Sequence, residues 1–446
     1  MPQLELVEIS PQPLDRYREL LGGEFPRFEA IAERAREAFA SRTIWHVNST
    51  ARGGGVAEIL HALLPYVRGV GVDTRWVVLG GEPEFFVITK RLHNHLHESP
   101  GDGGPLGEDQ RAAYEAALAE GATQLGELVS DGDVVYLHDP QTAGLIRPMQ
   151  EAGARVVWRC HVGIDRPGAL ARGGWDFLRP YVEAADAYVF SRSEYVWDGL
   201  ERAKAWLMAP AIDAFSAKNR ELDQATIEAV LGQVGLEESV PAGAKLAIQV
   251  SRWDRLKDPG GLLKCFASHV SDRELHLALV GPASAAVADD PEGAAVYEEV
   301  AEGRRRPSAA TRARTHLVSL PMDDVEWNAT MVNALQRRAD VIVQKSIAEG
   351  FGLTVAEAMW KAKPVVATRL GGIQDQIVDG ESGVLIDDPH DLAGFAAAIS
   401  GIAGDAGQAE RLGAAARERV KARFLAVGRL SEYVEPVASL LDGSRR

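Results

Sequence analysis

Short β-prone apolar runs alternate with helical patterns along this chain, and they do so in two separate series. No other feature restricts the fold as far, because strands joined by helices pair in parallel and need both sheet faces covered. The first series opens at Thr43–Val47 and turns through Asn48-Ser49-Thr50 and the glycines Gly53-Gly54-Gly55. It continues as a helical stretch over Val56–Val67 and a strand over Thr74–Leu79. Strand, glycine loop, helix and strand make a βαβ unit. Further strands are predicted at Val134–Leu137, Val156–Trp158 and Ala187–Phe190. Ahead of them, Pro26 opens a segment in which Phe28, Ile31, Ala32 and Ala35 share a helical face, so the first 40 residues read as a helical lead-in.

The pattern restarts after residue 215. Lys218–Leu236 reads as helix and EESVPAGAK as a linker. Strands follow at Leu246–Val250, Leu275–Val280, His316–Ser319, Val341–Gln344, Pro364–Ala367 and Val384–Ile386. Two such series in 446 residues predict an α/β chain of two Rossmann-like, doubly wound domains facing each other across a cleft. The first spans 1–215 and the second 242–425, with the crossing between about 215 and 242. Such sheets bind ligands beyond the carboxyl ends of their strands, so the cleft is the expected site.

Composition narrows the ligand. A net charge of −16 argues against a nucleic-acid partner, since phosphate backbones require basic surface. A local basic pocket remains compatible with it. No apolar run reaches the roughly 20 residues of a membrane helix, and the N-terminus has no basic segment followed by an apolar one. Cys160 and Cys265 are too few for a disulfide framework and suit a reducing cytoplasm as two buried thiols.

Four motifs carry chemistry. The most specific is SIAEGFGLTVAEAMW, residues 346–360. Its glycines Gly350 and Gly352 lie between a strand and a helix start, where backbone can approach a ligand and unpaired N–H groups meet anions or hydroxyls. Glu349 falls in the loop and Glu357 about one turn into the helix. A carboxylate accepts two hydroxyls at once, which suits a sugar or a ribose. For a single Glu the plainer account is a helix acid settled by the dipole; the whole phrase points past it. In QVSRWDRLKDPGG, Arg252 and Lys257 follow a strand end as a fork and a point charge for a diphosphate. Loop charges paired with Asp254 and Asp258 are the equal alternative.

The glycines 53–55 could cradle a phosphate or let a sugar pass, or form a plain turn; they lack the Lys-Ser/Thr ending of an ATPase loop. In WRCHVGIDRP, His161 could hydrogen-bond a sugar hydroxyl or relay a proton, although a lone His is more often structural. Asp131-Gly132-Asp133 has the metal-holding DxD form, but it precedes a strand and reads as a turn, so no metal is expected.

These motifs, in this order, resemble the retaining glycosyltransferases of the GT-B fold, glycosyltransferase family four. WHVNSTARGGGVAEIL, EFFVITKRLHNHL, LHDPQTAGL, WRCHVGID, SRWDRLKDP and EGFGLTVAEAMW narrow the resemblance to the trehalose glycosyltransferring synthases, from about residue 43 to 425. Arg255-Leu256 and Gly168 depart from the pattern in loops that shape the pocket wall, which leaves the nucleotide base open. The resemblance implies glucosyl transfer from a nucleotide diphosphate glucose (UDP, ADP or GDP) to free glucose, reversibly, giving α,α-trehalose with retention and no obligatory metal or other cofactor.

It also implies roles. Arg252 and Lys257 hold the diphosphate. Glu349, with the N–H groups of Phe351, Gly352 and Leu353 and the neighbouring Thr354, holds the donor glucose. Glu357 holds the ribose, and Gly54, Gly55 and His161 face the reacting sugar. A last helix over 426–446 returns to the first domain, and a homodimer stays open. The acceptor pocket is expected in the first domain, from Asn48, Phe85, Lys90, His161 and Asp165, because an aromatic beside polar groups suits a hexose; core packing is the alternative for Phe85. Two rival readings remain: a retaining trehalose phosphorylase, and a non-catalytic nucleotide-sugar-binding protein.

Overall fold

The computed structural model describes residues 4–52, 54–283 and 291–443. The chain divides into two compact units, Met1–Ala211 with Ala426–Arg446, and Ile212–Leu425. The first unit therefore ends at Ala211, and the stretch read as a crossing belongs to the second. Among the described residues no helix is long and apolar enough to cross a membrane.

The first unit holds strands β1 (Leu4–Val7), β2 (Ile44–Asn48), β3 (Thr74–Leu79), β4 (Val134–His138), β5 (Arg155–Cys160), β6 (Ala187–Phe190) and β7 (Ala205–Leu207). They form one seven-stranded sheet in the order β1-β3-β2-β4-β5-β6-β7. Only β1 runs antiparallel, against β3. The opening residues thus begin as an edge strand and not as part of a helical lead-in. Side chains alternate across each strand. Trp45, Val47, Val135, Leu137, Val156 and Trp158 enter the main apolar core on one face. His46, Tyr136, His138 and Arg159 are also buried, and they occupy the alternate positions on the same strands.

The second unit holds β8 (Lys245–Val250), β9 (Leu275–Pro282), β10 (Thr315–Leu320), β11 (Val341–Gln344), β12 (Val365–Thr368) and β13 (Val384–Ile386). Their order, β10-β9-β8-β11-β12-β13, is that of a doubly wound dinucleotide fold. In such a sheet the chain leaves in opposite directions from two neighbouring strands, which opens a crevice between their carboxyl ends. Here those strands are β8 and β11, which pair in parallel through Val341↔Ala247 and Ile342↔Ile248. In the first unit the order reverses at β2 and β4.

The helix read over Lys218–Leu236 starts later, at Gln224. Asp223 fixes that start by accepting the Thr226 N–H at 2.7 Å. Cys160 and Cys265 are both buried free thiols. The Asp131-Gly132-Asp133 turn has Gly132 at φ +83°, and the Asp133 carboxylate accepts the N–H groups of Thr43, Trp45 and Ser130.

Candidate active site

In the second unit the loops that follow β8 and β11 are stapled together. The Ile347 N–H donates to the Leu256 carbonyl at 2.7 Å. Gln249, at the end of β8, donates from Nε2 to the Lys257 carbonyl at 2.9 Å and accepts the Lys345 N–H at 3.2 Å. The buried Lys345 ammonium pairs with Asp258. Asp258 sits at φ +45° and caps the helix Pro259–His269 by accepting the Gly261 N–H at 2.9 Å.

This frame brings Lys257 and Glu349 together. The Lys257 ammonium donates to Glu349 Oε2 at 2.6 Å, and both side chains are mostly buried. Ser346 Oγ reaches the same carboxylate oxygen at 3.4 Å. Arg252 is half exposed and pairs with Asp254 at 3.1 Å. Asp254 also accepts the Leu256 N–H at 2.8 Å, which fixes the turn between the two cations. A carboxylate and an ammonium held in contact at a switch point can bind a hydroxyl and a phosphate oxygen side by side.

The helix Leu353–Trp360 starts at Gly352, whose left-handed φ of +83° suits glycine; an added Cβ would also lie 3.1 Å from Ile373 and 3.3 Å from Glu349. Gln376 donates to the Phe351 carbonyl at 2.6 Å, and the Gly372 N–H donates to the Gly350 carbonyl at 3.0 Å. Those bonds hold the loop by its carbonyls. Phe351 itself is buried, 5.7 Å from the Phe424 ring. Thr354 Oγ1 donates to Gln344 Oε1 at 3.2 Å, tying helix to strand.

Glu357 lies on the buried face of this helix, 2% exposed, with its carboxylate 3.6 Å from the Lys218 ammonium. Lys361 is one turn on and donates to Asn219 Oδ1 at 3.1 Å. Burial pulls the Lys361 ammonium down to about 7, against the attraction of Glu357. The carboxylate of the motif's second glutamate therefore faces Lys218, while Lys361 donates to its backbone carbonyl at 3.0 Å; sequence reasoning singled out neither lysine.

In the first unit Gly54 (φ +90°) and Gly55 open the helix Gly55–Gly69 after β2, and space is open around the Gly54 backbone among the described residues. Gly53 lies outside the described residues. His161 follows β5, and its backbone N–H donates to Asp139 Oδ1 at 2.6 Å. Asp139 holds a φ of +64°, unusual for a residue with a side chain. Burial pushes its carboxyl up to about 7, against the pull of the His161 N–H and Arg159.

The His161 ring ends a buried chain. Its Nε2 lies 3.0 Å from His138 Nδ1, His138 Nε2 lies 3.0 Å from His46 Nδ1, and His46 Nε2 lies 2.8 Å from the Tyr433 hydroxyl. Burial, with the Arg159 charge, holds all three rings well below the usual histidine range, His46 at about 3. Sequence reasoning named His161 alone. The phrase LHDPQTAGL held a signal for His138 and Asp139, as polar residues at a strand's carboxyl end. Nothing local to His46 could point to Tyr433, which lies 387 positions away.

The other acceptor candidates part ways. Phe85 is a correction: it is 2% exposed and stacked on Tyr114 at 5.8 Å, so its faces are taken by the core. Asn48 is buried at the end of β2. It donates to the Thr50 carbonyl at 2.7 Å and accepts the Trp76 indole N–H at 2.8 Å, shaping the loop instead of offering itself to a ligand. Asp165 pairs with the buried Arg192 at 2.9 Å. Lys90 stands exposed on the helix Pro83–Leu96.

Residues 46–197 match the family described as trehalose synthase, N-terminal domain, and residues 237–419 match glycosyl transferases group 1. The trehalose synthase of Pyrococcus horikoshii is 37% identical over 96% of this chain and 96% of its own. A trehalose phosphorylase from Pleurotus pulmonarius is 28% identical over 83% of this chain, which matches 54% of that longer protein. Among solved structures, the UDP-forming α,α-trehalose-phosphate synthase from Burkholderia vietnamiensis aligns with a TM-score of 0.67. That alignment has 18% identity over 90% of this chain and 100% of that one, and with the two parallel-sheet units it shows the GT-B fold.

Proposed function

The chain belongs to the trehalose synthase family of glycosyltransferases, and on that footing we propose that it moves glucose from a nucleotide diphosphate glucose to free glucose, giving α,α-trehalose with retention. The observation that carries this reading is the 2.6 Å pair of Lys257 and Glu349 at the switch point of the second unit. It joins the grip on a sugar hydroxyl to the charge that a phosphate oxygen needs.

The donor half belongs to the second unit. Arg252 and Lys257 bind the diphosphate. Glu349, with the N–H groups of Phe351–Leu353 and with Thr354, orients the glucosyl group. Glu357, with its carboxylate 3.6 Å from the Lys218 ammonium, accepts the ribose hydroxyls. The first unit supplies Gly54, Gly55 and His161 toward the reacting sugar, with Asp165 and Lys90 on the acceptor side.

The bond between the anomeric carbon and the outer phosphate oxygen breaks. A new one forms to the anomeric oxygen of the acceptor, which approaches from the same face. The acceptor's proton passes to the departing phosphate oxygen, and the nucleoside diphosphate leaves. The charge that grows on the diphosphate is met by Arg252 and Lys257, so no divalent metal is needed for that task.

A phosphorylase reading differs in using inorganic phosphate where the nucleotide sits. A buried glutamate beside Lys218 suits the two neighbouring hydroxyls of a ribose, which favours the nucleotide. The test is trehalose breakdown by the purified chain with UDP, ADP or GDP in one arm and inorganic phosphate in the other. Release of glucose in a nucleotide arm only is expected. Release with phosphate only makes the chain a phosphorylase, and release in neither makes it a binding protein.

A further inference from the structure

The two glutamates of the motif each meet a lysine from another part of the second unit. Glu349 meets Lys257, and Glu357 meets Lys218, whose ammonium lies 3.6 Å from Glu357 Oε1. Lys218 stands on residues 213–221, which form neither helix nor strand. No ladder holds such a stretch, and buried side chains fix it instead. Lys361 has only protons to give, so its 3.1 Å bond to Asn219 Oδ1 fixes which way that buried amide faces. Asn219 Nδ2 is thereby turned to the Asp213 carbonyl at 3.0 Å and to Ser216 Oγ at 3.2 Å. The Arg337 guanidinium orients Asn333 in the same manner, donating to its Oδ1 at 2.9 Å. Asn333 Nδ2 then donates to the carbonyls of Ala217 and Arg220, at 3.0 Å and 2.8 Å, on either side of Lys218 in the chain.

Asn219, Asn333 and Lys361 are all buried, and burying polar groups is unfavourable unless each finds its partners. Here their bonds set the position of one ammonium beside one carboxylate. An ammonium only donates and a carboxylate only accepts, whereas an alcohol does both. A hydroxyl between them gives its proton to the carboxylate and takes one from the ammonium. We propose that Lys218 is a further donor-binding residue, whose ammonium donates to a ribose hydroxyl oxygen while that hydroxyl gives its proton to Glu357, so that the pair selects ribonucleoside diphosphates over deoxyribonucleoside ones. The proposal rests on the ribose role of Glu357 in the transfer reaction proposed above. Asn219, Asn333 and Lys361 are positioning residues, which act through the backbone that carries Lys218.

The test is calorimetric binding of UDP, ADP and GDP, and of their 2′,3′-dideoxy analogues, to the full chain with no glucose present. The wild type is compared with Lys218→Met, Glu357→Gln and the double variant, in which neither charge remains. For the nucleotides that bind the wild type, Lys218→Met is expected to weaken the ribose form by about tenfold or more, the scale of one hydrogen bond to a charged group, and to leave the dideoxy form unchanged. The same loss is expected when Lys218→Met is added to Glu357→Gln, because the ammonium's own bond to the sugar is what goes. A Lys218→Met effect that vanishes in the Glu357→Gln background makes the lysine only a counter-charge and overturns the proposal, as does an equal loss for the dideoxy analogue. Equal affinity of the wild type for the ribose and dideoxy forms overturns it even if the variants fail to fold. A wild type that binds none of the nucleotides overturns the donor reading itself, and this inference with it.

Discussion

Lys257 and Glu349 lie 92 positions apart and meet at 2.6 Å, within a hydrogen-bonded frame that also fixes the turn beside Arg252. If these cations stabilise charge on a leaving diphosphate, removing either one has a catalytic cost and little structural one. Loss of a fixed group facing developing charge costs about 10²–10³ in rate. Lys257→Ala and Arg252→Ala are each expected to lower kcat by about that factor with melting temperatures near the wild type, measured by product formation at saturating substrates. A loss of tenfold or less in both would remove the clamp from the mechanism.

At this scale the sequence told residue types and their order along the chain, which is why Arg252, Lys257 and Glu349 could be picked out. It did not tell what each side chain faces. Phe85 beside polar neighbours looked like a sugar platform, yet its ring is stacked on Tyr114 inside the core. Glu357 read as a ribose holder, but nothing in the sequence told that its carboxylate is buried beside Lys218 or that Lys361 donates to its backbone carbonyl.

Among the elements, period-2 and period-3.6 patterns located most strands of both sheets, and Thr74–Leu79, Val341–Gln344 and Val384–Ile386 came out at their observed bounds. The strands that escaped are β1 and β7, both at sheet edges. Leu4–Val7 is half exposed and is defined by its antiparallel pairing with β3, which no local period encodes. Strand order was out of reach for the same reason, and with it the fact that the Arg252 and Glu349 loops flank one switch point. Lys345, just ahead of the motif, was not singled out, but its buried ammonium joins the loop after β11 to Asp258 in the loop after β8. Lys345→Met leaves Asp258 without its cation, and breaking a buried pair from one side costs about 3 kcal/mol or more. Chemical denaturation is expected to show that loss, with kcat falling as the two loops part. Stability within about 1 kcal/mol of the wild type would mean the pair does not hold the frame.

Across the whole molecule, the C-terminal helix Leu430–Gly443 belongs to the first unit, and its Tyr433 ends the histidine chain. The three rings are neutral when folded and charge near 6.5 when unfolded, so the unfolded chain binds more protons below that pH. Their contribution is complete above about 6.5 and is lost as pH falls below it, for His46 down to about 3. Asp139 works in the other direction. Its carboxyl is raised from 3.8 to about 7, so its contribution falls as pH rises between those values. Asp139→Asn removes the opposing group while keeping an acceptor for the His161 N–H. The variant is therefore expected to gain stability relative to the wild type as pH rises from about 4 to about 7, read from paired melting curves. A difference that stays constant with pH would mean that Asp139 is not held protonated.

The transfer reaction itself is tested most directly by NMR of the product mixture from purified chain, glucose and UDP-, ADP- or GDP-glucose, run with and without EDTA. The expected product is a non-reducing disaccharide whose two anomeric protons are equivalent and α-configured, formed with at least one donor and unaffected by the chelator. Absence of that disaccharide with every donor, or a product with an inverted anomeric centre, would contradict a retaining trehalose synthase built on the Lys257–Glu349 pair.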